Sequence, residues 1–193
     1  MQQAAEKHGG EAAGFKLGDT SVFKPHKAKP EQIKVLHERV GLTIPENPLE
    51  YVNRRLREVA KTNRNVKMAI EVCVHCGVCL DNCPTYVTTK DIFNSPVGRA
   101  ELVRSVLKAD SVSGKIFGKL AGAAKLTEEA LERIYTYYYQ CLECRKCAYA
   151  CPFGIDQADL TRAVREVMYE AGIFSKYIAT VIDAVERTGT NLG

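Results

Sequence analysis

A mainly α-helical fold is predicted by three observations. Apolar residues recur at three- and four-residue intervals in several separate stretches, the residues bounding those stretches are helix-capping types, and no long run alternates apolar with polar side chains. Only V-C-V around Cys73 is ambiguous between strand and loop. Two phrases interrupt the helical pattern, C-V-H-C-G-V-C-L-D-N-C-P from Cys73 to Pro84 and C-L-E-C-R-K-C-A-Y-A-C-P from Cys141 to Pro152. The expected architecture is therefore helices packed around two cysteine-bearing loops.

In chain order, residues 1–29 mix Gly, Lys, Ala, Pro and His with little periodicity and read as an N-terminal arm without its own core. Its apolar residues Phe15, Leu17, Val22 and Phe23 are either anchors that order on a partner or part of a disordered tail. The domain proper is expected over residues 30–193. It begins with a helix from Glu31 to Val40, with Ile33, Leu36 and Val40 on one face and Gly41 as its stop. After the Pro45 and Pro48 turn, Leu49, Val52, Leu56 and Val59 mark a second amphipathic helix, whose Arg54, Arg55 and Arg57 are expected in solvent.

The 57 residues between Cys83 and Cys141 are enough for two or three helices. Leu102, Val103, Val106 and Leu107 give one an apolar face from Pro96 to Leu107, and Thr127 before Glu128 and Glu129 reads as the N-cap of another through Leu131 and Ile134. Gly114, Gly118 and Gly122 make the middle either flexible or tightly packed. Beyond Pro152, Asp156 caps a helix through Leu160, Val164, Val167 and Met168 that stops at Gly172. A last helix runs from Ser175 to about Arg187 with Ile178, Val181, Ile182 and Val185 inward.

Composition bounds the function. At 193 residues, with 46% hydrophobic and 26% charged, the chain can bury a core without metal as a substitute for size. All eight cysteines fall in the two phrases, leaving none for a disulfide or a separate catalytic thiol. No apolar stretch approaches the roughly 20 residues that cross a bilayer, and the first residues lack the apolar centre of a secretory signal. A reducing cytoplasm is the expected location. Residues 1–67 hold 13 Lys and Arg against 8 Asp and Glu, which is either a solvated basic surface or a face for an anionic partner. No basic run is interleaved with aromatics, so no nucleic-acid partner is expected.

Each cysteine phrase is C-x2-C-x2-C-x3-C-P, the run in which three close thiolates hold one [4Fe–4S] cluster and the fourth reaches a second. Cys73, Cys76 and Cys79 then take Cys151, while Cys141, Cys144 and Cys147 take Cys83. Structural zinc prefers two separated pairs closing one tetrahedron, which this spacing does not supply. His75 is read as a shield or surface residue, with ligation the alternative. Arg145 and Lys146 either raise the potential of the second cluster or form a basic rim. Arg145 stands where the first loop has Gly77, so the second loop is expected to follow a slightly different path. Pro84 and Pro152 are expected to help stop helices at the distant ligands. Tyr135, Tyr137, Tyr138 and Tyr139 are expected to pack and exclude water.

Two such runs separated by a long helical insert, with Y-Y-Y-Q-C-L-E-C-R-K-C and C-P-F-G-I-D at the second, resemble the C-type subunit of heterodisulfide reductases. They also resemble the N-terminal region of the D-type subunit and the K-type subunit of the sulfite-reductase-linked membrane complex. The resemblance covers about residues 45–193. It implies an α-helical ferredoxin fold and an electron-transfer subunit of a hetero-oligomer in sulfur or thiol-disulfide metabolism. The implied partners are a cysteine-rich catalytic subunit or module and a flavin or iron–sulfur subunit or membrane cytochrome, with peripheral membrane attachment through them. The chain has no Cys-Cys pair of the kind such catalytic modules use, so it is not expected to act as an enzyme alone. That module is either a separate subunit or the continuation of a longer protein. The alternative reading is the iron–sulfur subunit of a quinone-linked succinate or glycerol-3-phosphate dehydrogenase complex.

Overall fold

The computed structural model describes residues 25–109 and 111–191; the arm's Phe15, Leu17, Val22 and Phe23 lie outside the described residues. Ten α-helices follow one another, and no strand occurs among the described residues. V-C-V is part of a loop. Helix α1 (Pro30–Val40) starts at a proline and ends on Gly41, whose left-handed φ of 68° closes its C-terminus. Helix α2 (Pro48–Thr62) is capped by Asn47, and α3 (Arg64–Glu71) by Asn63, whose carbonyl oxygen accepts from two backbone amides.

Helix α4 (Pro84–Thr89) follows the first cysteine loop with Cys83 at its N-cap. Pro84 therefore opens a helix, contrary to the expectation that it stops one, because the first helical position needs no amide donor. Helix α5 (Pro96–Lys108) is capped by Ser95 and runs through the centre of the molecule, touching α2, α3, α7 and α9. After α6 (Val112–Phe117), helix α7 (Glu128–Tyr139) is capped by Thr127 as expected. Gly114 is the tightly packed one of its three glycines, since an added Cβ would overlap the Lys108 carbonyl, whereas Gly118 and Gly122 turn the chain with open space around them. Helix α8 (Lys146–Ala150) lies within the second cysteine phrase. Asp156 caps α9 (Gln157–Glu170) and Ser175 caps α10 (Lys176–Thr188).

One core joins Val52 and Leu56 of α2, Ala100 and Val103 of α5, Ile134 and Tyr138 of α7, and Leu160, Val164 and Val167 of α9. A smaller cluster joins α1 to α10 through Leu36, Phe174 and Ala179. Helix α10 packs on α1 along one side only, so Val181 and Val185, expected inward, are exposed. The segment ahead of α1 is tied to the same corner, with the Ala28 amide donating to the Phe174 carbonyl at 2.7 Å and the Lys176 amide to the His26 carbonyl at 2.9 Å.

Arg55 does not project freely into solvent. Its Nε and Nη2 donate to the two carboxylate oxygens of Glu170 at 2.9 and 3.0 Å, and Tyr51 donates to the same carboxylate at 3.0 Å, joining α2 to α9. The Arg55 hydrogen bonds hold the Glu170 carboxyl below the usual carboxylate range, against the opposing effect of burial. A lowered folded-state pKa adds stability above the unfolded value, and that stability disappears as pH falls through the folded value. Glu170→Gln is expected to cost about 2 kcal/mol at pH 7. Chemical denaturation should show the difference from wild type shrinking below about pH 4. A difference independent of pH would remove the carboxylate from the account.

Candidate metal centres

The two cysteine loops share the same pair of left-handed turns. His75 and Gly77 in the first have φ of 58° and 81°, and Glu143 and Arg145 at the same places in the second have φ of 50° and 60°. These left-handed residues turn each loop around its own thiols. Arg145 thus shares the left-handed turn of Gly77, and the slightly different path expected of the second loop appears just after it, where 146–150 is helical and 78–82 is a series of turns. A non-glycine residue in that left-handed turn is disfavoured by about 1–2 kcal/mol. The Arg145 side chain is bound to Asp156 at 3.0 Å and Asp159 at 3.1 Å, which helps hold it.

Each loop enters from a helix whose last carbonyls are held by a buried or half-buried arginine. Arg104 of α5 donates through Nε to the Ile70 carbonyl at 2.7 Å and through Nη2 to Ala69 at 3.3 Å, at the end of α3. Arg165 of α9 donates through Nη2 to the Tyr138 carbonyl at 2.8 Å and the Cys141 carbonyl at 2.5 Å, at the end of α7. Both also hold the first left-handed residue of their loop: Arg104 contacts His75, and Arg165 meets the Glu143 carboxylate at 2.7 Å. His75 Nε2 also lies 2.9 Å from Glu101, so the ring bridges the buried Arg104 and a carboxylate nearer the surface.

Two recesses result. The first, with about 400 Å³ of atom-free space open to solvent, is lined by Cys73, Cys76, Cys79 and Cys151 with Val78, Val97 and Ile155. The second, about 310 Å³, is lined by Cys141, Cys144 and Cys147, by Cys83 from the other loop, and by Arg99. Cys147 also borders the first, so the recesses share a wall. In each run the second cysteine, Cys76 or Cys144, is exposed.

The first turn of α5 separates the recesses, with Val97 facing one and Arg99 the other. Burial pushes the Cys147 thiol up to about 11, and nearby Arg99 only partly opposes this. Burial also pushes Cys79 up, against a hydrogen bond from the Val97 amide. Cys83 moves the other way: burial raises it, but hydrogen bonds from Thr85 and the Tyr86 amide, then the Arg99 guanidinium, bring it below the ordinary thiol value. In the second recess Glu143 donates its backbone amide to Cys141 Sγ at 3.4 Å, and the Thr161 hydroxyl approaches the same sulfur at 3.7 Å.

These donors fit four-iron clusters. Among the described residues no three Cys, His, Asp or Glu side chains converge on a point suited to one ion. The thiols instead ring two hollows, as ligands to separate corners of a cube must. Arg99 adds a second indication: it is 2% exposed, and its Nε has no hydrogen-bond partner. A buried guanidinium N–H without an acceptor is costly, and it borders the recess where an anionic cluster would supply one.

The structure brings all eight predicted cysteines to the two recesses. It also shows three arginines that sequence reasoning passed over, Arg99, Arg104 and Arg165; no common spacing announced them, since Arg104 stands 21 residues after Cys83 and Arg165 stands 14 after Cys151. The tyrosines before Cys141 serve packing. Tyr135 and Tyr138 are fully buried, the Tyr138 hydroxyl donates to the Arg99 carbonyl at 2.9 Å, and Tyr137 donates to Asp91 at 2.8 Å. Burial pushes Tyr139 up to about 12 against the lowering effect of Arg165.

Comparison with known proteins agrees with this chemistry. The family model for a 4Fe-4S dicluster domain matches residues 69–155. The chain is 40% identical over 153 residues to the Hdr-like menaquinol oxidoreductase iron-sulfur subunit 2 of Archaeoglobus fulgidus, covering 79% of this chain and 28% of that protein. It is 33% identical over 99 residues to the glycolate oxidase iron-sulfur subunit of Escherichia coli, covering 51% of this chain and 20% of the other. It is 28% identical over 109 residues to the D-type subunit of the dihydromethanophenazine:CoB–CoM heterodisulfide reductase of Methanosarcina barkeri, covering 55% and 25%. No solved structure matches. The chain spans little more than a quarter of the length of the Archaeoglobus relative. With its helices and dicluster domain, the chain is an iron–sulfur protein of α-helical ferredoxin fold that carries two [4Fe–4S] clusters and is similar to heterodisulfide-reductase-like iron–sulfur subunits.

Proposed function

We propose that the chain is an electron relay within a hetero-oligomeric complex, and that Cys73, Cys76, Cys79 and Cys151 hold one cluster while Cys141, Cys144, Cys147 and Cys83 hold the other. The observation that carries this reading is the pair of thiol-lined recesses sharing a wall at Cys147, each drawing on both cysteine runs. When bound, each cluster supplies a one-electron couple. The chain's residues fix the distance between the two sites, and Val97 and Ile155 keep water from the inner side of the first. The paired helix ends held by Arg104 and Arg165 keep both loops in register.

Two mouths suit two partners. Val74 and Val78 are exposed beside the first recess and Leu142 beside the second, apolar surfaces of the kind that docking covers. The complex then passes electrons between a donor subunit at one mouth and a cysteine-rich catalytic module at the other. The Archaeoglobus relative is named as a menaquinol oxidoreductase subunit, which favours a quinol and a membrane cytochrome as the donor side. None of the described helices is long and apolar enough to cross a membrane, so attachment to a membrane would run through such a partner.

Anaerobic purification with native partners attached tests this reading. About eight irons per chain are expected, with a cysteine-rich catalytic protein and a cytochrome or flavoprotein copurifying. Zinc in place of iron, or a chain that itself turns over substrate without partners, would contradict it.

A further inference from the structure

Helices α5 and α9 hold their arginines alike but differ at a buried position that borders a recess. Counting back five residues from each arginine that holds a helix end, Arg104 on α5 and Arg165 on α9, gives Arg99 in one half and Leu160 in the other. Leu160 is fully buried in the apolar core, whereas Arg99, 2% exposed, lines the second recess. Apart from the cysteines, the polar side chains lining the first recess are the neutral Gln157 and His75, which meets the Glu101 carboxylate at 2.9 Å.

Arg99 is also the uncompensated charge of its recess. Glu143 is paired with Arg165, and Arg145 with Asp156 and Asp159 at the surface. Arg99 Nη1 donates to the Asn94 carbonyl at 2.6 Å, its Nε has no partner, and no carboxylate is seen paired with it among the described residues. An isolated charge so deeply buried is not stable unless something anionic lies against it. The groups it faces are the Cys83 and Cys147 sulfurs, both in the second recess.

We propose that Arg99 is the built-in counter-charge of the second cluster and sets that cluster at a higher reduction potential than the first. Reduction adds one electron and hence one negative charge to the cluster, and a fixed buried cation beside it favours the more negative form. No Lys or Arg lines the first recess, and Arg104, which reaches its His75 from behind, is paired with Glu101. An electron entering the chain therefore comes to rest on the second cluster, giving the relay an internal downhill step from the Cys73 loop to the Cys141 loop. Arg145, neutralised by two carboxylates and half exposed, is not the source of this asymmetry. The proposal rests on the reading of the recesses as cluster sites.

Arg99→Lys and Arg99→Gln in the full chain test it, with iron and sulfide content measured first and both midpoint potentials then followed by EPR-monitored titration. Arg99→Gln is expected to lower the second cluster's potential while the first stays put. Arg99→Lys, which keeps the charge and loses the Nε–H, should shift it less. A Gln variant that retains only the first cluster, beside a Lys variant that retains both, also supports the charge pairing. Full loading with neither potential moved, or with both moved equally, overturns the proposal, as does loss of the first cluster or of both. A wild-type chain without two clusters overturns the underlying reading, and is told apart by its iron content alone.

Discussion

Replacing Cys83 with alanine removes the cluster of the second cysteine run and spares that of the first, although Cys83 belongs to the first run. Its thiol lies in the second recess with Cys141, Cys144 and Cys147. It is also the most buried of the eight cysteines, 6% exposed, and hydrogen bonds and Arg99 favour its thiolate. Iron content is expected to fall by about half, from two four-iron clusters to one. Cys151→Ala is the mirror experiment and should remove the first cluster. Because the recesses meet at Cys147, each loss also exposes the surviving cluster, which should bleach faster in air than in wild type. If Cys83→Ala spared the second cluster and removed the first, each run would hold its own cube, and the exchange of ligands would be wrong.

Gly98→Ala is expected to be among the most damaging single-methyl changes in the molecule. A Cβ at Gly98 would overlap the Ile92 carbonyl and sit 2.9 Å from Phe93 Cα, both backbone, so neither can step aside as a side chain can. Gly98 lies between Val97 and Arg99 in the turn of α5 that separates the recesses. The substitution should cost about 3 kcal/mol, the upper part of the range for overpacking, and disturb both sites together. Thermal unfolding checks the first effect and iron content the second. A variant with wild-type melting temperature and full loading would show that the turn is free to move.

Helices with a capping residue and one apolar face were legible in the sequence: Gly41, Thr127, Asp156 and Ser175 act where their residue types predict. Helices α3, α4 and α8 were not read, because eight, six and five residues beside cysteine loops show too few turns for periodicity. Helix α10 misled because its apolar residues exceed the width of the face it packs against α1, leaving Val181 and Val185 outside. The cysteine spacing announced both cluster sites. It could not announce Arg99, since arginine is normally read as a surface residue and its burial depends on α5 passing between two loops distant in sequence. The same limit turned attention to Arg145, which stands inside the cysteine run but is neutralised by carboxylates ten or more residues further along.

The most direct test of the relay is a reductive titration of the anaerobically purified chain followed by EPR. Two one-electron steps are expected, with the signal of the cluster reduced first broadening once the second is also reduced, because the sites share a wall at Cys147. One step, or two signals that titrate without affecting each other, would contradict a two-cluster relay built on interleaved cysteines.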